Sequence, residues 1–489
     1  MIKVTGTVQP RPAGQENKQM ATGAIELHVT SLEVLSKSKT LPYALIDEPA
    51  TSEETRMKYR YLDLRRRKVL KNIEFRAKMN HFTRNRFTEQ GFLEVQTPLF
   101  TVSSPEGARD YLIPSRVNPG QFYALPQAPQ QYKQLLMMGG IDKYFQIAPC
   151  FRDEDPRADR AMCEFYQVDL EMTFVDQADV LKVLSEYALN VAKTMVPNKI
   201  VESEIVHLTY QDAMDRYGCD KPDLRFGMEI VDLTSELTHT EFGVFKNAIA
   251  NGGVVRAIKL EQQSMSRKEL DELTEIAKRA GAGGLAYLIY ETDEIKGPVA
   301  KFFSAEEMKV ISDKLQAKSG DIIFFAADKR LRVCKVLDKI RLFLRGKYHL
   351  ADDNKLAFCF VVDFPLYEYD EDKDSRDFGH NPFSHVVGGL DALDTDDLST
   401  VKTNQYDMVL NGFELGSGSI RNYLPEVMVK VFEKVGLSEA DVKNKFGAMY
   451  EAFQYGCPPH GGFAFGFDRF MMILLDEPNI RECYAFPKS

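Results

Sequence analysis

The sequence predicts an α+β fold, in which an antiparallel sheet packs against helices and is interrupted by an inserted α+β module. The clearest strand is "EFYQVDLEMTFV", residues 164–175, where apolar and polar side chains alternate strictly. The apolar set is Tyr166, Val168, Leu170, Met172 and Phe174, and the opposite set is Phe165, Gln167, Asp169 and Glu171. Such a strand is typical of an antiparallel sheet with helices on one face and a cleft or solvent on the other. The strand and turn pattern also stops near residue 223 and returns after about residue 352, which indicates an insertion into one sheet.

Composition limits the class of protein. The chain has 489 residues, of which 44% are hydrophobic and 27% charged, typical of a soluble protein of two to four domains. It has no apolar run of about 18 residues and no apolar leader, so we expect a cytoplasmic protein without a membrane segment. Seven cysteines without a CxxC pair favour a reducing compartment and no structural zinc. The net charge of -10 still allows a local polyanion site, because counterion release depends only on the Lys and Arg that touch phosphates.

The N-terminal quarter of the chain begins with β-structure and continues as helix. Residues 1–46 are predicted to form two or three short strands. The basic stretch 53–72, "EETRMKYRYLDLRRRKVLKN", predicts a helix that is either a solvated face or a nucleic-acid contact. Phe75, Met79 and Phe82 then predict a further helix that Gly91 closes, followed by the strand "FLEVQTPLF", which ends at a proline.

The inserted module is predicted from its helix starts. Capping boxes at Ser266 with Glu269 and at Ser304 with Glu307 each begin a helix, and the strands "LAYLIYE" and "GDIIFFAA" alternate with these helices. The resulting unit shows no evident chemistry of its own. The predicted organisation is a β-rich start, a first part of the main domain, the module and a second part of the main domain, at 1–46, 47–222, 223–352 and 353–489.

Two groups of charged residues are candidates for a binding site. "FRDEDPRADRAMCEF", residues 151–165, is either an exposed turn, whose ion pairs contribute roughly 0 to 1 kcal/mol each, or the floor of a site. Arg152, Arg421 and Arg469 stand in polar strand or turn contexts and suit bidentate anion binding. Asp407 and Glu414 are near enough in sequence to share a divalent cation. No glycine-rich phosphate loop of the common types is present.

The motifs then show a resemblance to a known family. "GFLEVQTPLF", "FRDED" with Phe165, and "GGFAFGFDR" resemble, in this order, the three motifs of class II aminoacyl-tRNA synthetases. The strings "SSPEGARDYL", "ALPQAPQQYKQLLM", "YGCDKPDLRF", "NGFELGSGSIR" and "NIRECYAFPK" resemble the bacterial-type aspartyl-tRNA synthetases from residue 46 to the end. The inserted module matches the extra domain of that type in position and size.

The resemblance implies a nucleotide site on the antiparallel sheet. Arg152 would contact the α-phosphate, Glu154 would accept a hydrogen bond from the adenine amino group, and Phe165 would stack on the ring. The full set implied for ATP is Arg152, Asp153, Glu154, Phe165, Gln167, Glu414, Gly466, Phe467, Asp468 and Arg469. Asp407 and Glu414 would hold Mg²⁺ against the phosphates.

The resemblance also implies a site for L-aspartate. Arg421, as a planar fork of N–H donors, and Lys133, as a point charge, would bind the side-chain carboxylate. They would reject asparagine, because the N–H donors of its amide would face the N–H donors of the two cations. Asp169, Gln130 and Glu106 would hold the ammonium group. The full set implied for aspartate is Glu106, Gln130, Lys133, Arg152, Asp169, His380 and Arg421.

The implied function is ATP-dependent activation of L-aspartate to aspartyl-adenylate and its transfer to the 3′ end of tRNA-Asp, with tRNA-Asn as an open second substrate. A homodimer built on the first motif is expected. The resemblance further implies that residues 1–46 are the last part of a truncated oligonucleotide-binding barrel and that relatives continue beyond the C-terminus. Two alternatives remain open: a paralogue that binds aspartate and ATP without charging tRNA, and a tRNA-independent amide-forming ligase.

Overall fold

A computed structural model of the chain describes residues 1–103, 108–155, 157–160, 163–370 and 375–488. The chain divides into two compact units, Met1–Lys71 and Asn72–Lys488. The predicted site residue Glu106 lies outside the described residues, as does part of the loop 156–163. The domain boundaries given above stay predictions.

The described residues form 14 α-helices and 21 strands. The helices are α1 Glu53–Lys58, α2 Arg60–Asp63, α3 Arg67–Glu89, α4 Gln130–Met138, α5 Gln177–Met195, α6 Tyr210–Tyr217, α7 Gly243–Ala250, α8 Arg267–Arg279, α9 Ala305–Leu315, α10 Arg330–Tyr348, α11 Gly389–Leu393, α12 Pro425–Glu433, α13 Glu439–Phe453 and α14 Phe467–Leu474. The strands are β1 Ile2–Pro10, β2 Ile25–Val34, β3 Leu93–Glu94, β4 Leu112–Pro114, β5 Phe122–Ala124, β6 Lys143–Arg152, β7 Cys163–Thr173, β8 Ile200–Val201, β9 Val206–Thr209, β10 Val231–Asp232, β11 Val254–Leu260, β12 Ala286–Tyr290, β13 Ile295–Lys296, β14 Ile322–Asp328, β15 Lys355–Leu356, β16 Phe358–Val362, β17 Tyr367–Asp370, β18 Ser375–Phe378, β19 Gln405–Leu410, β20 Phe413–Ile420 and β21 His460–Gly466.

The first unit contains a long antiparallel hairpin, β1 with β2, followed by the short helices α1 and α2. Three arginines of the basic stretch converge on Asp63, which is fully buried. Arg60 Nη1 lies 2.7 Å and Arg66 Nη1 2.8 Å from its carboxylate oxygens, and Arg56 Nε lies 3.4 Å away. The charges of these three arginines therefore have a structural role, which neither sequence reading of the stretch anticipated.

The second unit is built on an eight-stranded sheet in the order β3-β6-β7-β21-β20-β19-β16-β9. The six inner strands are antiparallel, which confirms the predicted sheet type, whereas β3 and β9 at the edges pair in parallel with their neighbours. The strand predicted at "FLEVQTPLF" is only two residues long. After it, the Thr97 amide and hydroxyl both donate to the side chain of Gln146, at 3.2 and 3.0 Å, in place of a strand partner.

The main core lies on one face of this sheet. Val168, Leu170 and Met172 of β7 are buried there together with α3, α5 and α14 residues, as the alternation predicts. The prediction was wrong for Phe174, which is 74% exposed. β7 ends at Thr173, and Phe174 takes a φ of 54°, so its side chain leaves the strand pattern.

The inserted segment forms its own antiparallel five-stranded sheet, in the order β10-β11-β14-β12-β13. Both predicted capping boxes are present, at the starts of α8 and α9. Alternate residues of β14 face two separate apolar clusters, one covered by α8 and α10 and the other by α7 and α9. The sheet of this module is therefore buried on both faces.

All seven cysteines are free thiols. Among the described helices, none is both long and apolar enough to cross a membrane.

Candidate active site

A cavity of about 870 Å³ opens over the sheet face opposite the main core. Gln167 and Asp169 of β7 line this cavity. The alternate residues of the same strand, Val168 and Leu170, are buried in the core on the other face of the sheet. Thirteen of the predicted site residues line this cavity: Gln130, Lys133, Arg152, Glu154, Phe165, Gln167, Asp169, His380, Glu414, Arg421, Gly466, Asp468 and Arg469. Ala128 and Asn381 line it as well.

The other predicted residues are placed differently. Asp153 is exposed, and its carboxylate lies 3.6 Å from Arg109 Nε. Phe467 packs in the main core, with no exposed surface. Asp407 is buried on β19, one strand away from Glu414 on β20.

Four charged side chains form a buried network at one end of the cavity. Lys133 Nζ of α4 lies 2.6 Å from Asp169 Oδ1 and 3.3 Å from Glu171 Oε2. Arg421 donates from Nε and Nη2 to the two oxygens of Glu171, at 2.7 and 3.0 Å, and from Nη1 to Ser419 Oγ at 2.8 Å. Two cations thus face two carboxylates, which satisfies the requirement that buried charges be paired.

The two carboxylates of this network respond differently to burial. Burial alone would raise the pKa of Glu171, but the charges of Arg421 and Lys133 outweigh it and lower that pKa to about 2. Burial dominates at Asp169, whose pKa is raised although Lys133 opposes the change. We assign the network two cations and two anions, because the shortest contact of each cation, 2.6 Å from Lys133 to Asp169 and 2.7 Å from Arg421 to Glu171, is as short as a charge-assisted hydrogen bond.

Glu171 is a site residue that the residue-by-residue assignments missed. Its only sequence signal is its place on the same strand face as Asp169. Gly462 of β21 makes room for it, because a Cβ added there would lie 2.1 Å from Glu171 Oε2. Within β21, the missing side chain of Gly462 therefore leaves the space that the Glu171 carboxylate occupies.

Several buried polar atoms around the cavity make no hydrogen bond within the described part of the chain: Gln130 Nε2, Arg152 Nε, Asp169 Oδ2 and His380 Nε2. His380 Nε2 is 3.8 Å from Glu368 Oε1, beyond hydrogen-bond distance, and burial lowers the pKa of this histidine. An unpaired buried polar atom costs on the order of 1 to 3 kcal/mol. Their concentration here indicates a site prepared for a polar ligand.

The other end of the cavity carries the arginines of the predicted nucleotide site. The Arg152 guanidinium lies over the Phe165 ring, with Cζ 5.0 Å from its centroid. Arg469 donates from Nη1 to the Glu414 carbonyl at 2.6 Å. The Glu154 carboxylate accepts a hydrogen bond from Arg160 Nη1 at 2.7 Å.

Asp468 has a structural environment that the sequence did not indicate. It is 2% exposed, and its carboxylate contacts Arg76 Nη1 at 2.5 Å, the Tyr166 amide at 2.7 Å and the Tyr484 hydroxyl. The Arg76 guanidinium also lies 5.1 to 5.2 Å from the ring centroids of Tyr166, Phe467 and Tyr484. This cage fixes the start of α14, which also carries Arg469.

The predicted metal ligands stand beside a lysine. Asp407 is buried, which raises its pKa well above the usual range, and the charge of Glu414 adds to that increase. Lys221 Nζ lies 3.2 Å from Glu414 Oε2. The described residues contain no group of three His, Cys, Asp or Glu side chains that could hold a metal. Two carboxylates nevertheless fit Mg²⁺, which proteins commonly bind through one or two carboxylates and the substrate's phosphates.

Comparison with solved structures supports the fold. The chain superposes on asparaginyl-tRNA synthetase of Entamoeba histolytica with a TM-score of 0.57 and 16% identity, covering 100% of this chain and 83% of that one. A putative aspartyl-tRNA synthetase from Leishmania major Friedlin gives a TM-score of 0.57 and 18% identity, covering 100% of this chain and 80% of that one. At these identities, the likeness concerns the fold alone.

Similarity to curated proteins is much higher. The chain is 47% identical over 490 residues to an aspartate--tRNA(Asp/Asn) ligase of Chlorobium phaeobacteroides, covering 100% of this chain and 80% of that protein. It is 48% identical over 496 residues to the protein of the same name from Beijerinckia indica, covering 100% of this chain and 83% of that protein. The family model of the class II tRNA synthetases (D, K and N) matches residues 52–489. The chain therefore belongs to the class II tRNA synthetases (D, K and N).

Proposed function

We propose that this protein activates L-aspartate with ATP and transfers it to the 3′ end of tRNA-Asp. The observation that carries the proposal is the buried pair of cations, Lys133 and Arg421, in a cavity that is also lined by three further arginines: Arg152, Arg160 and Arg469. The names of relatives that are 46–48% identical agree with this chemistry.

The cation pair can recognise the side-chain carboxylate of aspartate. Arg421 uses three of its N–H donors on Glu171 and Ser419, and a guanidinium has five. Two donors therefore remain for a ligand, in the planar fork that matches a carboxylate. Glu171 holds the guanidinium in place through its Nε and Nη2 edge.

The ammonium group of the amino acid has acceptors nearby. Asp169 Oδ2 makes no hydrogen bond with the described residues, whereas its Oδ1 is bound to Lys133. An ammonium at Oδ2 would supply the missing partner. The side-chain amide of Gln130, which lines the same end of the cavity, would complete the polar surroundings of the bound amino acid.

The reaction requires mainly positioning and countercharge. The aspartate α-carboxylate attacks the α-phosphorus of ATP in line, forming the mixed anhydride while the bond to the leaving pyrophosphate breaks. Arg152 would stabilise charge on the α-phosphate, and Arg469 would bind the distal phosphates. Asp407 and Glu414 would hold Mg²⁺, which supplies further countercharge to the phosphates when bound.

Transfer to tRNA and the quaternary structure belong to the same proposal. The loop 156–163 would meet the acceptor end of tRNA, and tRNA-Asn remains a second candidate acceptor. We expect a homodimer whose interface includes α3 and the segment after it, and a cytoplasmic location.

Two assays on the purified protein test the proposal. Aspartate-dependent exchange of pyrophosphate into ATP with Mg²⁺ measures activation, and aminoacylation of tRNA-Asp and tRNA-Asn transcripts measures transfer. We expect both activities with aspartate. Exchange without aminoacylation of either transcript would favour the tRNA-independent alternatives, and a folded protein without aspartate-dependent exchange would overturn the proposal.

A further inference from the structure

The stretch "YGCDKPDLRF", residues 217–226, joins the catalytic sheet to the inserted module, and its lysine has no counterpart among the predicted site residues. Lys221 of this stretch reaches Glu414, which lines the cavity. Its Nζ lies 3.2 Å from Glu414 Oε2 and 3.0 Å from Asp220 Oδ2. The Lys221 side chain is 39% exposed, so the contact with Glu414 is only partly shielded from water.

The Lys221 ammonium is positively charged at neutral pH and pairs with two carboxylates, those of Glu414 and Asp220. Asp407 and Glu414 in turn repel each other electrostatically. The ammonium group of Lys221 is thus a countercharge that the chain itself supplies to Glu414.

The backbone that carries Lys221 is anchored by α10 of the inserted module. Asp223, two residues further on, is buried and lies 2.8 Å from Arg225 Nη2 and 2.9 Å from Arg345 Nη1. Arg341, which is fully buried, donates to the backbone carbonyls of Asp223, Phe226, Gly227 and Met228 at 2.9 to 3.3 Å. Lys221 therefore extends from a fixed base, unlike a lysine on a free loop.

We propose that Lys221 is the resident countercation of the Asp407–Glu414 pair and competes with the divalent cation for Glu414. When the metal binds, the ammonium leaves the carboxylate of Glu414 and keeps Asp220 as its partner. The proposal rests on the assignment of Asp407 and Glu414 as metal ligands within the proposed function. It adds that the chain itself supplies countercharge to the pair and that metal entry is an exchange of cations.

Binding of Mn²⁺ to the protein alone, followed by electron paramagnetic resonance without ATP, aspartate or tRNA, tests the exchange. Lys221→Met removes the competing charge next to the ligands, so we expect Mn²⁺ to bind at least about tenfold more tightly. Lys221→Arg keeps the charge and should bind Mn²⁺ as the unsubstituted protein does. Lys278→Met, which removes an exposed lysine paired with Glu275 on α8, is the matched control and should leave the affinity unchanged.

The double variant Lys221→Met with Glu414→Gln locates the effect, because it should lose the gained affinity. An affinity in Lys221→Met that equals or falls below that of the unsubstituted protein would overturn the proposal, as would a gain that survives the loss of the Glu414 carboxylate. These outcomes are separate from the proposed function. Failure of aspartate-dependent exchange would refute that function and leave the Mn²⁺ comparison as it stands.

Discussion

At the scale of single residues, the account depends on Arg421. Replacing it with leucine removes one of the two cations and leaves Glu171 without its bidentate partner. We expect Arg421→Leu to weaken aspartate binding by on the order of 3 to 5 kcal/mol while ATP binding stays nearly intact. Calorimetric titration with each ligand measures both effects.

The matched control for this substitution is Arg216→Leu. Arg216 makes an equally short ion pair with Glu229, but its side chain is 44% exposed and lies outside the cavity. This control should bind aspartate normally. Lost ATP affinity with unchanged aspartate affinity in Arg421→Leu would show that the arginine has been assigned to the wrong ligand.

Glu171 makes a prediction about pH. Its pKa is lowered from 4.5 to about 2 in the folded protein, so it stabilises the fold above pH 4.5 and loses this contribution as the pH falls from 4.5 towards 2. A shift of that size corresponds to on the order of 3 kcal/mol. Glu171→Gln should therefore be less stable than the unsubstituted protein at pH 7, and the difference should shrink on acidification below pH 4.5.

Urea denaturation of both proteins across this pH range measures the difference. The comparison is made down to the lowest pH at which both proteins remain folded. A stability difference that stays constant, or grows, as the pH falls below 4.5 would contradict the assignment of Glu171 as the ionised partner of Arg421.

At the scale of elements, the alternation in β7 predicted which residues face the core and which face the cavity. It did not predict that Asp169 and Glu171 are fully buried. The residues that cover them are Lys133 of α4 and Arg421 beyond β20, which lie 36 and 250 positions away along the chain. Local periodicity carries no information about such partners, and the family resemblance named Lys133 and Arg421 only as ligands of aspartate.

The helix α3 has a predicted role in stability through Arg76. Its guanidinium is the cation of buried Asp468, so Arg76→Met leaves a buried carboxylate uncompensated. We expect a loss of about 3 to 5 kcal/mol in the free energy of unfolding and a raised KM for ATP, because Asp468 fixes the helix that carries Arg469. Arg76→Lys should lose less stability than Arg76→Met and should raise the KM for ATP less.

Arg84 on the same helix is the matched control. It pairs with Glu94 at 3.0 Å but is 47% exposed, so Arg84→Met should cost no more than about 1 kcal/mol. Equal costs for the two substitutions, measured by urea denaturation, would show that the cage around Asp468 contributes nothing specific.

At the scale of the whole molecule, the antiparallel sheet, its interruption and the two capped helices of the module were predictable from patterning and capping boxes. The parallel pairing of β3 and β9 at the edges was not, because each strand is very short and its partner is distant in sequence. Arg152, Arg421 and Arg469 could be identified in the sequence only as three separate arginines. Their convergence required the sheet topology, which places β6, β20 and β21 within one eight-stranded order. The origin of residues 1–46 as part of a barrel stays a prediction.

The predicted homodimer is a further property of the whole molecule. Light scattering at micromolar concentration should give roughly twice the chain mass of 55.6 kDa. A monomeric mass for a protein that is active in pyrophosphate exchange would remove the dimer from the account and leave the cavity chemistry intact.

The central claim is that the buried cations Lys133 and Arg421 select aspartate. The most direct test compares kcat/KM for pyrophosphate exchange with aspartate and with asparagine on the same enzyme preparation. Asparagine has the same shape but would present amide donors to the donors of the site, so we predict a preference for aspartate of at least about 10³-fold. Comparable kcat/KM values for the two amino acids would contradict the claim.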